Sequence, residues 1–243
     1  MSRTTGTRAA APAERKRTTR AGRGRPGGPR RRTLLLGALL ASLGGAGYAA
    51  RDQAEHLWWR LPGRQQEREP GAVDHPGAEW ISASQENLAP ADRPYDHGID
   101  RVVIHTVEGS YAVALQVFRD PAHGASAHYV VRAEDGHVAQ MVREADVAHH
   151  AGNLDYNRRS IGIEHEGFVD RPEDFTAALY RSSARLTAGV CARYGIPVDR
   201  EHIVAHHEVP GSDHTDPGPG WDWDRYLRLV REAGEEGGVR GRG

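Results

Sequence analysis

Apolar positions fall into short runs divided by turn residues, and their period changes along the chain. RVVIHT (residues 101–106) is a β-branched run that predicts a buried strand. YAVALQVFR (residues 111–119) predicts a short helix, ended by Asp120-Pro121. AHYVVRAEDGHVAQMV (residues 127–142) predicts two strands around a turn at Glu134-Asp135-Gly136, and SIGIEHEG (residues 160–167) another short strand. Across residues 172–194, Phe175, Leu179, Leu186 and Val190 share one face of a long helix that Gly195 and Pro197 stop. Residues 202–206 predict a last buried strand and residues 222–232 a closing helix. Strands interleaved with helices predict an α/β fold: a single domain with a central mixed β-sheet flanked by helices. Cys191 falls near the buried face of the long helix and reads as a core thiol.

The pattern before residue 80 is different, and charge explains it. Residues 1–32 carry eleven basic side chains against one acid, Glu14, with almost no large apolar residue. The rest of the 243 residues holds 21 basic and 32 acidic groups, so an overall charge of −1 hides two opposite halves. The uncharged run TLLLGALLASLGGAGYAA follows the arm and ends in small residues that suit a signal peptidase. Arg31-Arg32-Thr33-Leu34-Leu35 resembles a twin-arginine export signal, with a general secretory signal as the alternative. Residues 1–50 are therefore expected to export the protein, to be secreted or associated with the cell wall. If the signal is not cleaved, it anchors the chain in the membrane; no other membrane contact is expected. An arm left behind at export has no nucleic-acid role. Residues 51–79, polar and broken by Pro-Gly pairs, read as a linker in which Trp58 and Trp59 stand out. The domain is expected at 80–235, with a flexible tail at 236–243. One cysteine excludes an internal disulfide, so the domain holds itself together with a core, a metal or both. A monomer is expected.

Twelve of the fourteen histidines lie between His97 and His214, so position must separate ordinary ones from ligands. His105 and His206 each end a predicted strand, the place where α/β sheets hold their sites. Asp216, ten residues after His206 in a Thr-Asp-Pro-Gly-Pro loop, completes a candidate His-His-Asp set. A zinc hydrolase needs three protein ligands and one open position. The plainer reading of Asp216 is a turn-starting residue before Pro217.

IVAHHEVPGSDHTDPGP (residues 203–219) resembles the zinc-binding segment of type 2 N-acetylmuramoyl-L-alanine amidases. That superfamily includes phage lysozyme-type amidases and peptidoglycan recognition proteins. VVIHT (102–106), SAHYVV (126–131), HAGN (150–153) and SIGIEHEG (160–167) agree with it in order. The resemblance implies that His105, His206 and Asp216 bind Zn2+ and that Glu164 moves protons. Glu166, on the same strand face if the strand persists, is the second choice. Some relatives place a tyrosine where this chain has Ala127. Many have lysine where this chain has His214, which implies an oxyanion-stabilising role for a titratable side chain. His207 is expected on the opposite face of the strand from His206, and His128 in a structural or groove-lining place. His150, Asn153, Asn157 and Arg158 are expected along the substrate groove, and Arg159 is a candidate partner for a stem-peptide carboxylate.

The function implied is zinc-dependent cleavage of the amide between N-acetylmuramic acid and L-alanine in peptidoglycan or muropeptides. Two alternatives stand beside it. One is a non-catalytic peptidoglycan-binding module, which the full set of candidate ligands disfavours. The other is a zinc peptidase on another peptide, although no H-E-x-x-H helix is present.

Overall fold

Strands without a polar face need cover on both sides, and the centre of this fold supplies it. The computed structural model describes Glu69 and residues 71–240, all within the unit Arg51–Gly243. The expected arm and signal, and most of the linker with Trp58 and Trp59, lie outside the described residues. Eight strands occur among them: β1 (Glu79–Trp80), β2 (Leu88–Ala89), β3 (Arg101–Thr106), β4 (Tyr129–Val131), β5 (Val138–Gln140), β6 (Val147–Ala148), β7 (Ser160–His165) and β8 (Ile203–Ala205). The helices are α1 (Tyr111–Arg119), α2 (Leu154–Arg159), α3 (Ala177–Tyr194) and α4 (Trp223–Arg240). The main sheet runs β1-β5-β4-β7-β3-β8 and is parallel except for the β4–β5 hairpin. β2 and β6 form a separate antiparallel pair. The fold is thus α/β with a central mixed sheet flanked by helices.

Alternation along the central strands divides the core. Val102, Ile104, Ile161 and Ile163 face α3 and α4, where Leu179, Leu186, Val190 and Tyr226 cover them; Cys191 is buried in the same cluster. The opposite face meets α1 through Val130 and Met141, and carries Val103 and Val204 beside Ala151. Val103 and His105 share this second face. The site-bearing face is therefore the one away from the two long helices.

Local signals set the helix ends. Ser110 caps α1 by accepting from the Val113 N–H, and Thr176 caps α3 by accepting from Leu179. That cap delays the expected helix at 172–194: Pro172–Asp174 forms a separate 3-10 turn first. Gly195, at φ 67°, ends α3 in the left-handed conformation that glycine adopts without a Cβ penalty. The last helix runs on to Arg240, through much of the expected tail. The folded region also starts earlier than residue 80. Asp74 accepts from the Glu144 N–H at 2.9 Å, and its own N–H donates to Gln140 Oε1 at 2.6 Å.

The sheet is tied to its helices by a buried polar chain as well as by apolar contact. His165 Nδ1 donates to the His105 carbonyl at 2.8 Å, and its Nε2 lies 2.6 Å from Ser183 Oγ on α3. Ser183 and Thr187 hydroxyls both meet Tyr226 Oη of α4. The backbone of His105 is thus fixed from behind.

Burial lowers the pKa of His165 to about 3 and that of His75 to about 4, from 6.5. Both rings stay neutral in the folded chain below the pH at which the unfolded chain protonates them. Their stabilisation is present above pH 6.5 and is lost as pH falls from there towards 3. Denaturant titrations should show an unfolding free energy that declines steadily from pH 6.5 to about 4. A flat profile would contradict the burial of neutral imidazoles.

Candidate active site

Three adjacent parallel strands finish at one edge and bring the candidate residues together. His105 is the register partner of Glu164 across β3 and β7. Ile104 pairs with Ala205 across β3 and β8, so His206 follows at the level of His105. The strand ends at Ala205, and His206–Glu208 turn into a 3-10 helix. Glu208 holds that turn by accepting from the Ala205 N–H at 2.7 Å. The chain then loops out and returns. The His207 N–H donates to the Asp216 carbonyl at 3.1 Å, and the Thr106 N–H donates to Asp216 Oδ2 at 3.3 Å. The carboxylate is thereby placed between the two histidines.

His105 Nδ1 lies 3.3 Å from Asp216 Oδ2, and His206 Nδ1 lies 3.0 Å from Oδ1. All three residues are buried, and one ligand atom from each lies within 4.8 Å of the others. Two imidazoles and a carboxylate form the N/N/O donor set of catalytic zinc sites. Burial lowers His105 to about 4, which keeps it neutral and able to ligate. Burial by itself would raise the Asp216 pKa; the adjacent His105 and His206 outweigh it and hold the carboxyl far below its usual range. Glu164 has the opposite fate. Burial first, then the negative charge of Asp216, raises its pKa well above the ordinary carboxyl value. Its Oε2 is buried and has no hydrogen-bond partner. A carboxyl left unsatisfied beside a convergent donor set fits a site that takes a cation and moves protons.

His214 is exposed and stacks on His206, with ring centroids 4.1 Å apart and an interplanar angle of 27°. Its Nδ1 is 3.6 Å from Asp216 Oδ1. These groups share a cleft of about 720 Å³ whose walls include Thr106, Phe118, Ser126, Leu154, Glu164 and His214. A volume of this order suits a ligand of a few residues or sugars.

A family model described as N-acetylmuramoyl-L-alanine amidase matches residues 95–219. The chain belongs to the N-acetylmuramoyl-L-alanine amidase family. N-acetylmuramoyl-L-alanine amidase A of Achromobacter lyticus is 36% identical over 180 residues, 67% of this chain and 98% of that relative. The 1,6-anhydro-N-acetylmuramyl-L-alanine amidase AmpD of Haemophilus influenzae is 35% identical over 112 residues, 44% of this chain and 59% of its own length. A crystal structure of a Se-Met AmpD derivative is similar with a TM-score of 0.54 at 25% identity, covering 68% of this chain and 99% of that one. The chain is an amidase.

The amidase uses its other expected site residues differently from one another. His150 borders the cleft as expected but is largely buried, with its Nδ1 2.9 Å from His105 Nε2, so its ring also meets the donor set. Asn153 caps α2 by accepting from the Tyr156 N–H and donates to the Pro210 carbonyl, which takes it out of the groove and into the frame. Asn157 borders the cleft, but its Oδ1 accepts from the His150 and Ala151 N–H groups at 3.1 and 2.8 Å. Arg158 does not line the cleft; its carbonyl accepts from the buried Arg93 guanidinium. Arg159 pairs with Asp100 and Asp155. Among the described residues, no arginine or lysine lines this cleft.

Glu166 also departs from expectation. The strand stops at His165, and the two Glu166 oxygens accept from the Tyr111 and Ala133 N–H groups. It secures the start of α1 and leaves Glu164 as the open carboxyl. His207 is exposed in the 3-10 turn, not on the back of a strand, and its Nδ1 lies 3.1 Å from the Asp216 carbonyl. His128 is buried, and its Nδ1 accepts from the Gly162 N–H at 3.0 Å.

Two residues escaped the sequence reading. Ser160 and Gly162 alternate with Glu164 on one face of β7, and a signal was present in those small side chains. A Cβ on Gly162 would lie 2.5 Å from His150 Cγ, so glycine is what lets the imidazole lie against the strand. Gly162→Ala is therefore expected to cost about 1–3 kcal/mol by overpacking, measured by denaturant unfolding. A variant within about 0.5 kcal/mol of the parent would show that the ring has room to move.

Proposed function

We propose that this amidase is zinc-dependent and hydrolyses the amide between the lactyl carbonyl of N-acetylmuramic acid and the amine of L-alanine in peptidoglycan or its muropeptides. The observation that carries this reading is the convergence of His105, His206 and Asp216 beside the unpartnered Glu164 oxygen. When bound, zinc would polarise the scissile carbonyl and acidify water at the site.

The chain's own groups supply the rest. Glu164 takes a proton from the attacking water and delivers it to the departing nitrogen. The C–N bond breaks, leaving a muramoyl carboxylic acid and a free alanine amine. His214, at the mouth of the cleft against His206, donates to the carbonyl oxygen as negative charge develops there. Glu166, His207 and Asn153 take no part in these steps because their polar atoms hold the frame. A substrate in the cell wall lies on the far side of the membrane, in keeping with the export signal expected in residues 1–50. Among the described residues, no helix is long and apolar enough to cross a membrane.

Digestion of a defined muropeptide, followed by mass spectrometry and amine labelling, tests the reaction. A new N-terminal alanine, abolished by chelator and restored by zinc, is expected. A cut inside the stem peptide, or binding without cleavage, would overturn the reading. His105→Ala and Asp216→Ala should each lose zinc and activity together. Glu164→Gln should retain zinc and lose about 10²–10⁴ in kcat; an unimpaired variant removes Glu164 from the proton path. His214→Ala should lower kcat by about 10²–10³ with little change in zinc content, and an unchanged kcat would make His214 a bystander.

A further inference from the structure

The buried polar atoms behind His105 form a directional chain whose donors and acceptors can be assigned one by one. Ser160 Oγ lies 2.5 Å from the Tyr156 carbonyl, which can only accept, so the single hydroxyl proton is used there. His150 Nε2 lies 3.1 Å from the same Oγ and must therefore donate to it. A neutral imidazole that donates from Nε2 has a bare Nδ1. That Nδ1 lies 2.9 Å from His105 Nε2, which must in turn be the donor. His105 then carries its proton on Nε2 and directs a bare Nδ1 at Asp216 Oδ2, 3.3 Å away. Two acceptors facing each other at that distance call for a cation between them.

We propose that His150 and Ser160 are positioning residues that hold His105 in its Nε2–H tautomer, so that the Nδ1 lone pair is presented to the metal. The surroundings are built for this. Asn157 Oδ1 pins the backbone of His150 and Ala151, and Gly162 leaves the space the ring occupies. Asn153 links the same loop to the Pro210 carbonyl in the segment between His206 and Asp216. The HAGN segment then supports the ligand His105 as well as bordering the cleft. The inference rests on the metal site of the reading above, but not on the bond that is cleaved.

Both tests omit substrate. The first is a two-bond ¹H–¹⁵N correlation spectrum of the full chain labelled on histidine nitrogen, with and without zinc, with His105 assigned by difference from His105→Asn. The Nε2–H pattern for His105 is expected before zinc is added as well as after. An Nδ1–H pattern for His105 in the zinc-free protein overturns the proposal. The second is zinc affinity measured by competition with a chromogenic chelator. His150→Ala should weaken binding by about 10- to 100-fold. His150→Asn places an amide oxygen where Nδ1 stood and should recover most of that loss. Equal weakening in two folded variants would mean that the ring only fills space. A chain that holds zinc with the expected tautomer yet cuts no muropeptide would overturn the proposed reaction and leave the relay standing.

Discussion

Everything at this site depends on the register of three parallel strands. β7, β3 and β8 pair so that Glu164, His105 and His206 arrive at the same edge. Alternation fixes which face each side chain takes, and a slip of one residue would send His105 into the apolar layer under α3. That layer is what prevents the slip. Val102, Ile104, Ile161, Ile163 and Ile203 are fully buried on the helix side, so register and core are specified by the same residues. The site is inexpensive to assemble because the fold has already brought two imidazoles and a carboxyl together.

The cost lies in what is buried with them. His105, His150, His165 and Glu164 all sit where burial disfavours their charged forms. The imidazoles are reconciled with burial by being neutral and hydrogen-bonded, one face of the sheet at a time. Behind the strand, His165 ties the His105 carbonyl to Ser183 and, through it, to Tyr226. On the site face, Ser160 and His150 reach the His105 ring. Backbone and side chain of one ligand are thus held independently. Asp216 and Glu164, two carboxyls under the same burial, are driven in opposite directions, since one has imidazoles around it and the other has an anion. Such divergence separates a group that binds a cation from a group that exchanges a proton.

The central architecture was legible because its signals are local and strong. The β-branched RVVIHT run, the apolar face of the long helix with its Gly195 stop signal, and the turn at Glu134-Asp135-Gly136 each name their own element. The His-His-Asp set was legible for a related reason: strand ends can be read from where a β-branched run stops. The two-residue strands β1, β2 and β6 carry no period to read. The end of α4 was missed because Gly234, Gly237 and Gly238 argue against helix, each by roughly 1 kcal/mol, whereas the structure keeps them helical. His150 does border the cleft, but its loop position says nothing about which way the ring turns. Its direction is set by Gly162 and Ser160, twelve and ten residues along and on another element, and Glu166 is likewise claimed by N–H groups of two distant segments.

Zinc K-edge X-ray absorption on the full-length protein, with metal content determined on the same sample, tests the centre most directly. One zinc per chain is expected, with two imidazole nitrogens at about 2.0–2.1 Å, oxygen in the remaining positions and no sulfur. A spectrum fitted by fewer than two imidazoles, or a folded chain that takes up no zinc, would contradict it.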